Sequence, residues 1–428
     1  MESVIQCFDI HEHIINASHI RSYPCSSRDE FKPLKLHVKQ YVPNDHEDLG
    51  SDAVTIIAAS GIGFPKECYE AFFADIFKRC KKQGIKIRAF WIADQVTTAS
   101  SGILNAGDLG TSLSWWDHSR DLLHLINVFS EQMLRPLIGL GHSLGGTQLA
   151  YLSTLHPALF NSLILIEPPI YPTMERKHGV AHARLMLRRK TEWTSREQAE
   201  KSMRKAPYFK KWNPFALARY FQFALQDLPP SAENPGAVRL ATSKHLEVAH
   251  IFRLNDQGLG LQGLESLPPK DRKTIPDIDP SASENAPLYS PWTREMFFRL
   301  PNLRPWVLYI DGDSTTTSSS PEMAKQRLKN TGTDIGGSGG EKMGTVKQVV
   351  INGAQHTMPL DEHMGEVAEA ASGFIVAEMK RWQQEGTMVA WVEDGDGRIP
   401  TPPRQDERFL RTVEDYEELA KKFAKSKL

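Results

Sequence analysis

Residues 136–155 read Pro136-Leu-Ile-Gly-Leu-Gly-His-Ser143-Leu-Gly-Gly-Thr-Gln-Leu-Ala-Tyr-Leu-Ser-Thr-Leu155, and the architecture follows from how this stretch divides. Pro136 to Leu140 is a short apolar run of the kind that fills a buried strand. Leu144 to Leu155 reads as a helix, stopped by His156-Pro157. Between them, Gly141-His142-Ser143-Leu144-Gly145 matches G-x-S-x-G, a turn that lifts a serine hydroxyl above the end of a sheet. Glycines are required because the turn is tight and neighbouring chains pass close to its backbone. The helix N-terminus beneath the serine favours developing negative charge. Strand, turn and helix in this order make Ser143 a candidate nucleophile.

Outward from this unit, Ala53 to Ala59, Ser162 to Ile166, Trp306 to Ile310 and Val346 to Ile351 are further apolar strand candidates, and Ile85 to Trp91 alternates like a strand. Helical spacing covers Phe72 to Lys82, Asp117 to Phe129 with Asp117 as its N-cap, and Glu366 to Gln383. Such alternation implies βαβ units and a mostly parallel sheet with helices on both faces. Cys7 to Ile15 and Lys35 to Val42 read as an antiparallel pair, which makes the sheet mixed. Between Tyr171 and Trp292 the pattern breaks into short helices as far as Leu225, then a Pro-, Ser- and Asp-rich loop from Leu264 to Pro291. The expected division is therefore core (1–171), inserted lid (172–291), core (292–385) and a C-terminal extension (386–428). The run Gly336-Gly-Ser-Gly-Gly340 reads as a flexible loop, the commoner case, or as one that approaches phosphate.

The 428 residues suffice for one large domain with an insertion, and 40% hydrophobic with 24% charged residues is ordinary globular composition. Lys and Arg (51) nearly balance Asp and Glu (52), which argues against a nucleic-acid-binding protein. No apolar run is long enough to span a membrane, and the N-terminus lacks a secretory pattern. The four cysteines include no CxxC pair and suit a reduced compartment, so a soluble intracellular protein is expected. The chain ends Ser426-Lys427-Leu428, the peroxisomal import tripeptide, which makes the import receptor an expected partner and the peroxisome the expected location.

A nucleophilic serine needs a base, and His356, five residues past the strand ending at Ile351, stands where one is expected. His142 adjoins the serine but points elsewhere and is expected to pack. His118, His124, His178 and His182 read as surface or lid residues. His11 and His13 form H-x-H with no partner cluster, and no metal site follows. For the acid, the usual place is the turn after the strand at 306–310, where Asp311 and Asp313 lie but Thr315 occupies the customary position. Glu167, at the end of the apolar strand 162–166, is the preferred candidate, because a charge there needs a partner. The order Ser143, Glu167, His356 is the order the fold uses. Backbone N–H groups of Leu144 and, in Ser60-Gly61-Ile62-Gly63, of Ile62 are the expected oxyanion donors. Residues 175–220 carry 13 Lys/Arg against 4 Asp/Glu, and Arg184, Arg188 and Arg189 are candidates for binding phosphate.

The chain resembles a fungal α/β-hydrolase family of secondary-metabolite gene clusters, with members in mycophenolic acid and toxin biosynthesis. The residues carrying the likeness are Glu12-His13, Ser18-His-Ile-Arg21, Leu36-His-Val-Lys-Gln-Tyr41, Gly63-Phe-Pro-Lys-Glu67, Trp116-Asp-His118, Gly141-His-Ser-Leu-Gly-Gly146, Gly336-Gly-Ser-Gly-Gly340 and His356-Thr-Met-Pro359. The resemblance implies an α/β-hydrolase fold with a large inserted lid, Ser143 as nucleophile and His356 as base. The family's acid after the sixth strand is an aspartate, where this chain has Glu167. It also implies hydrolysis of an acyl-CoA thioester, with no metal or redox cofactor, and a homodimer. Carboxylester or lactone hydrolysis by the same residues, and non-catalytic metabolite binding, are the alternatives.

Overall fold

Strands that are apolar along their whole length need cover on both faces, and a parallel sheet flanked by helices provides it. In the computed structural model, which describes residues 6–45, 49–50, 52–173, 177–230, 235–254, 277, 288–315, 320–385 and 405–425, eight strands build one such sheet. They are β1 (Phe8–Asn16), β2 (Lys35–Pro43), β3 (Val54–Ala59), β4 (Ile87–Ala93), β5 (Leu137–His142), β6 (Ser162–Ile166), β7 (Trp306–Gly312) and β8 (Val346–Ile351). Their spatial order is β1-β2-β4-β3-β5-β6-β7-β8. β2 runs antiparallel to β1 and β4, and every other neighbouring pair is parallel. Every residue of β3, β5 and β6 is buried.

Helices α1 (Glu70–Lys82), α2 (Trp115–Val128) and α3 (Leu144–Leu155) belong to the first half of the core. α4 (Lys177–Arg188), α5 (Arg196–Met203), α6 (Pro214–Phe223) and α7 (Lys244–Ala249) lie between β6 and β7. α8 (Pro291–Arg299), α9 (Pro321–Asn330) and α10 (Met364–Glu385) follow. α2 buries Leu122, Leu125 and Ile126, and the Trp115 ring stacks on Trp292 of α8 at 5.0 Å. Each such leucine contributes about 1.5–3 kcal/mol by leaving water.

α2 begins two residues before its expected cap. Ser114 caps it by accepting from the Trp116 N–H, and Asp117 lies inside the first turn. Asp117 instead accepts from the Ser22 N–H at 2.9 Å and pairs with Arg21, which also meets Asp121 at 2.7 Å. This buried ion cluster anchors the segment after β1 and accounts for the Ser18-His-Ile-Arg21 and Trp116-Asp-His118 motifs. The glycine run at 336–340 is a tight loop rather than a loose one. Ser338 N–H donates to Leu303 O at 2.9 Å and Gly339 N–H to Gly332 O at 2.8 Å, ahead of the amino end of β8.

Between β6 and β7 the chain also forms a three-stranded antiparallel sheet, with Val238–Leu240 between Glu192–Trp193 and Leu225–Asp227. Strands of two or three residues are too short to show a period, which is why the sequence there reads as short helices and loop. The segment bonds the core at several points, among them the start of α1 and the loop that follows His356. Arg219 of α6 donates to Glu70 at 2.6 Å, and Asn213 N–H donates to Leu360 O at 2.9 Å. Most of the expected 264–291 loop lies outside the described residues, as does Ser426-Lys427-Leu428. The chain divides into Met1–Met379, which holds the whole sheet, and Lys380–Leu428, whose described part is the end of α10 with α11 (Glu407–Glu414) and α12 (Tyr416–Lys425). Among the described residues no helix is long and apolar enough to cross a membrane.

Candidate active site

The strand order reverses its direction of growth around β3, which pairs with β4 on one side and β5 on the other. In open α/β sheets, ligands bind at the carboxyl ends of strands beside such a reversal. The register brings those ends level: Ala59 pairs with Gly141, His142 with Ile166, Ile166 with Ile310 and Gly312 with Ile351. Ser143, Glu167 and the loop to His356 all begin at this edge.

Ser143 has φ 54° and ψ −125°, a left-handed conformation whose strain amounts to about 1–3 kcal/mol. The Ser143 N–H donates to Ile166 O at 2.8 Å and helps hold the turn. Gly145 permits it, since a Cβ there would stand 2.2 Å from Ala59 O on β3. The Ser143 hydroxyl lies 2.8 Å from His356 Nε2. His356 Nδ1 faces Glu167 Oε2 at 3.3 Å, while Glu167 Oε1 accepts the Gly312 N–H at 2.7 Å. Glu167 is fully buried, also at positive φ (50°), and its N–H donates to Ile310 O at 2.9 Å. To meet His356 from β6 it must pass over the end of β7. Gly312 lets the histidine loop come close to the end of β7, because a Cβ there would press within 2.3 Å of Ala354 O.

The aspartates in and just after β7 bond elsewhere. Asp311 holds the fully buried Arg327 of α9 at 2.6 Å and accepts from Gln348 at 2.7 Å. Arg327 also donates to Pro168 O, bracing the turn that carries Glu167. Asp313 is exposed and accepts the Gly353 N–H at 2.7 Å.

Ile62 lies in the loop after β3 and Leu144 opens α3 directly after Ser143, and the backbone N–H of neither has an acceptor among the described residues. The segment after the Ile62 loop is anchored by buried charges. Lys66 bonds Asp94 at 2.6 Å and Glu67 at 2.9 Å, and Lys39 reaches Glu67 at 3.2 Å. These pairs account for the Lys66-Glu67 part of the sequence motif. The three arginines do not act as one group. Arg184 and Arg188 are exposed on or at the end of α4, whereas Arg189 turns inward to Glu247 at 2.8 Å. Glu247 in turn lies beside Gly63 of the Ile62 loop.

Two histidines differ from their sequence reading. His142 does more than pack: Nδ1 meets the Tyr69 hydroxyl at 2.7 Å and Nε2 meets His356 O at 2.8 Å. His118 is buried rather than on the surface. Tyr69 had no signal in the sequence, since its partners come from β5 and from the loop after β3. Burial pushes His142 down to about 3, aided by nearby His356, and pushes His118 and His250 down to about 4. Neutral in the fold but protonated when unfolded, these histidines give the unfolded state extra protons below the ordinary value of 6.5. Their stability contribution is complete above that pH and is lost toward pH 3–4. At pH 5 each removes about 2 kcal/mol relative to pH 7.5. Asp94 opposes them, since burial raises it to about 6 against the pull of Lys66, and burial raises Glu70 and Glu247 as well, so these carboxyls return part of the loss over the same interval. Urea midpoints should therefore fall clearly from pH 7.5 to pH 5, and a flat profile would refute the neutral-histidine account.

Serine, imidazole and carboxylate in one hydrogen-bonded line is an arrangement suited to acyl transfer. A family model described as "Alpha/beta hydrolase family" matches residues 56–370. The chain is similar to the type I acyl-CoA thioesterase mpaH' of Penicillium brevicompactum, with 36% identity over 411 residues covering 91% of this chain and 92% of that one. It is also similar to the abhydrolase domain-containing protein ACTT2-1 of Alternaria alternata, at 34% over 122 residues, covering 28% of this chain and 46% of that one. Among solved structures, the peroxisomal alpha-beta-hydrolase Lpx1 of Saccharomyces cerevisiae superposes with a TM-score of 0.63 at 17% identity, covering 97% of this chain and 98% of that one, a likeness of fold. With the family match spanning most of the sheet and a relative matched along most of both chains, the protein belongs to the alpha/beta hydrolase family.

Proposed function

We propose that the protein hydrolyses an acyl-CoA thioester to a free acid and coenzyme A, in fungal secondary metabolism. The reaction class rests on the 2.8 Å contact between Ser143 Oγ and His356 Nε2, with Glu167 behind it. The substrate class is supported by the likeness to a named acyl-CoA thioesterase along most of both chains. His356 takes the Ser143 proton as the hydroxyl attacks the thioester carbonyl. Ile62 and Leu144 N–H groups receive the oxyanion, and Glu167 orients the imidazole and offsets its positive charge. The tetrahedral intermediate collapses, its C–S bond breaks, and His356 returns the proton to the sulfur of the departing coenzyme A. Water, deprotonated by the same histidine, then releases the acid from Ser143.

Residues 172–291 act as a lid over the strand ends. The bonds from Asn213 to Leu360 and from Arg219 to Glu70 support this role, since both partners adjoin loops that hold the site. Exposed Arg184 and Arg188 are the guanidinium groups disposed to meet the phosphates of coenzyme A, while Arg189 is engaged by Glu247. The terminal Ser426-Lys427-Leu428 supports import into the peroxisome. A panel of acyl-CoA thioesters assayed beside methyl esters of the same acids tests the substrate class. Faster turnover of the thioesters is expected. Preference for the methyl esters would favour a carboxylester hydrolase, and failure on both sets would leave no support for catalysis.

A further inference from the structure

We infer that Tyr69 and His142 are positioning residues: a single hydrogen-bond chain through them ties the backbone of His356 to the loop that carries Ile62. The inference rests on the catalytic roles proposed above for Ser143 and His356.

The chain has four members and one direction. Gly61 N–H donates to the Tyr69 hydroxyl oxygen at 3.0 Å, Tyr69 meets His142 Nδ1 at 2.7 Å, and His142 Nε2 meets His356 O at 2.8 Å. A carbonyl oxygen only accepts, so the proton of a neutral His142 must sit on Nε2. Nδ1 is then an acceptor, and Tyr69 must aim its O–H at it. The hydroxyl lone pairs are left for Gly61 N–H. Each group thus has one role it can play, and reversing any link would set two donors or two acceptors face to face.

Burial makes the chain rigid. Tyr69 is 3% and His142 2% exposed, so water does not compete for these bonds. Phe64 stacks on the His142 ring with centroids 5.6 Å apart and restricts its tilt. Burial also keeps His142 uncharged, which matters because its ring centroid is 5.2 Å from that of His356. A cation so close would oppose His356 as it takes the serine proton. The His356 side chain itself is 24% exposed and sits in a loop beyond β8, where its ring orientation depends on what holds its backbone. Gly61 immediately precedes Ile62. One phenol oxygen therefore sets the spacing between the general base and an oxyanion donor.

The test uses the full-length protein with p-nitrophenyl butyrate, an ester that needs the nucleophile, base and oxyanion donors but no coenzyme A. Tyr69→Phe removes a single oxygen and is expected to lower kcat by about 10–10²-fold with KM little changed, the size of loss a small misplacement of reacting groups produces. His142→Gln keeps an amide N–H close to the former Nε2 and should retain at least about tenfold more kcat than His142→Leu, which keeps no donor. Urea midpoints correct each rate for the folded fraction. Wild-type kcat in Tyr69→Phe, or equal kcat per folded molecule in the Gln and Leu variants, would overturn the inference and leave only a packing role. Ser143→Ala, assayed in parallel, separates the two readings. Loss of activity in that variant alone defeats the relay and spares the nucleophile, whereas an active Ser143→Ala defeats both.

Discussion

Ser143→Ala is expected to lower ester and thioester turnover by about 10⁴–10⁶-fold while leaving the fold in place. The hydroxyl is the atom that His356 Nε2 faces at 2.8 Å, so its removal leaves the imidazole without a proton to take. Alanine keeps a Cβ and meets the same φ of 54° as serine, so the strained turn gains no new conflict. The bonds that hold it, including Ser143 N–H to Ile166 O, belong to the backbone and survive. Residual activity would come from binding and the oxyanion donors alone. Rates measured beside urea midpoints decide the matter: activity within about tenfold of wild type would exclude Ser143 as the nucleophile.

Glu167→Gln and Asp311→Asn should fail in opposite ways. Glutamine at 167 can still accept from Gly312 N–H, but its second terminal atom becomes a donor toward His356 Nδ1. The imidazole must then carry its proton on Nε2, facing the serine, and can no longer act as a base. A loss of about 10⁴ in kcat is expected, as when a triad acid elsewhere is replaced by its amide. Asp311→Asn instead leaves the fully buried Arg327 without its counter-charge, which should remove about 3–5 kcal/mol of stability. Turnover per folded molecule should stay close to wild type. If Asp311→Asn proved the more damaging to kcat at equal folded fraction, the acid would have to be sought on β7.

The parallel core was legible because strands buried on both faces are continuous apolar runs, and 53–59, 136–140 and 162–166 are such runs. Ser143, Glu167 and His356 could be named as candidates because each follows one of the strands at a readable distance, and the fold brings the three together. Other features depend on contacts between residues far apart in sequence, which no local pattern records. Asp117 looked like a helix cap until Arg21 and Ser22, nearly a hundred positions earlier, turned out to be its partners. His142 and Tyr69 likewise have ordinary local surroundings, and their hydrogen bonds exist only when β5 lies beside β3. The three-stranded sheet between β6 and β7 escaped notice because its strands are shorter than one detectable period.

The level register of β5, β6 and β7 also makes catalysis a gauge of correct assembly. A slip of one residue of β6 along β7 would carry Glu167 about 3.3 Å away and turn its side chain to the opposite face of the sheet. Such a molecule would keep its helices, most of its buried apolar surface and a normal circular dichroism spectrum, yet have no carboxylate behind its imidazole. Specific activity after refolding therefore counts the molecules whose strands have paired correctly, a population that spectroscopic yield overstates.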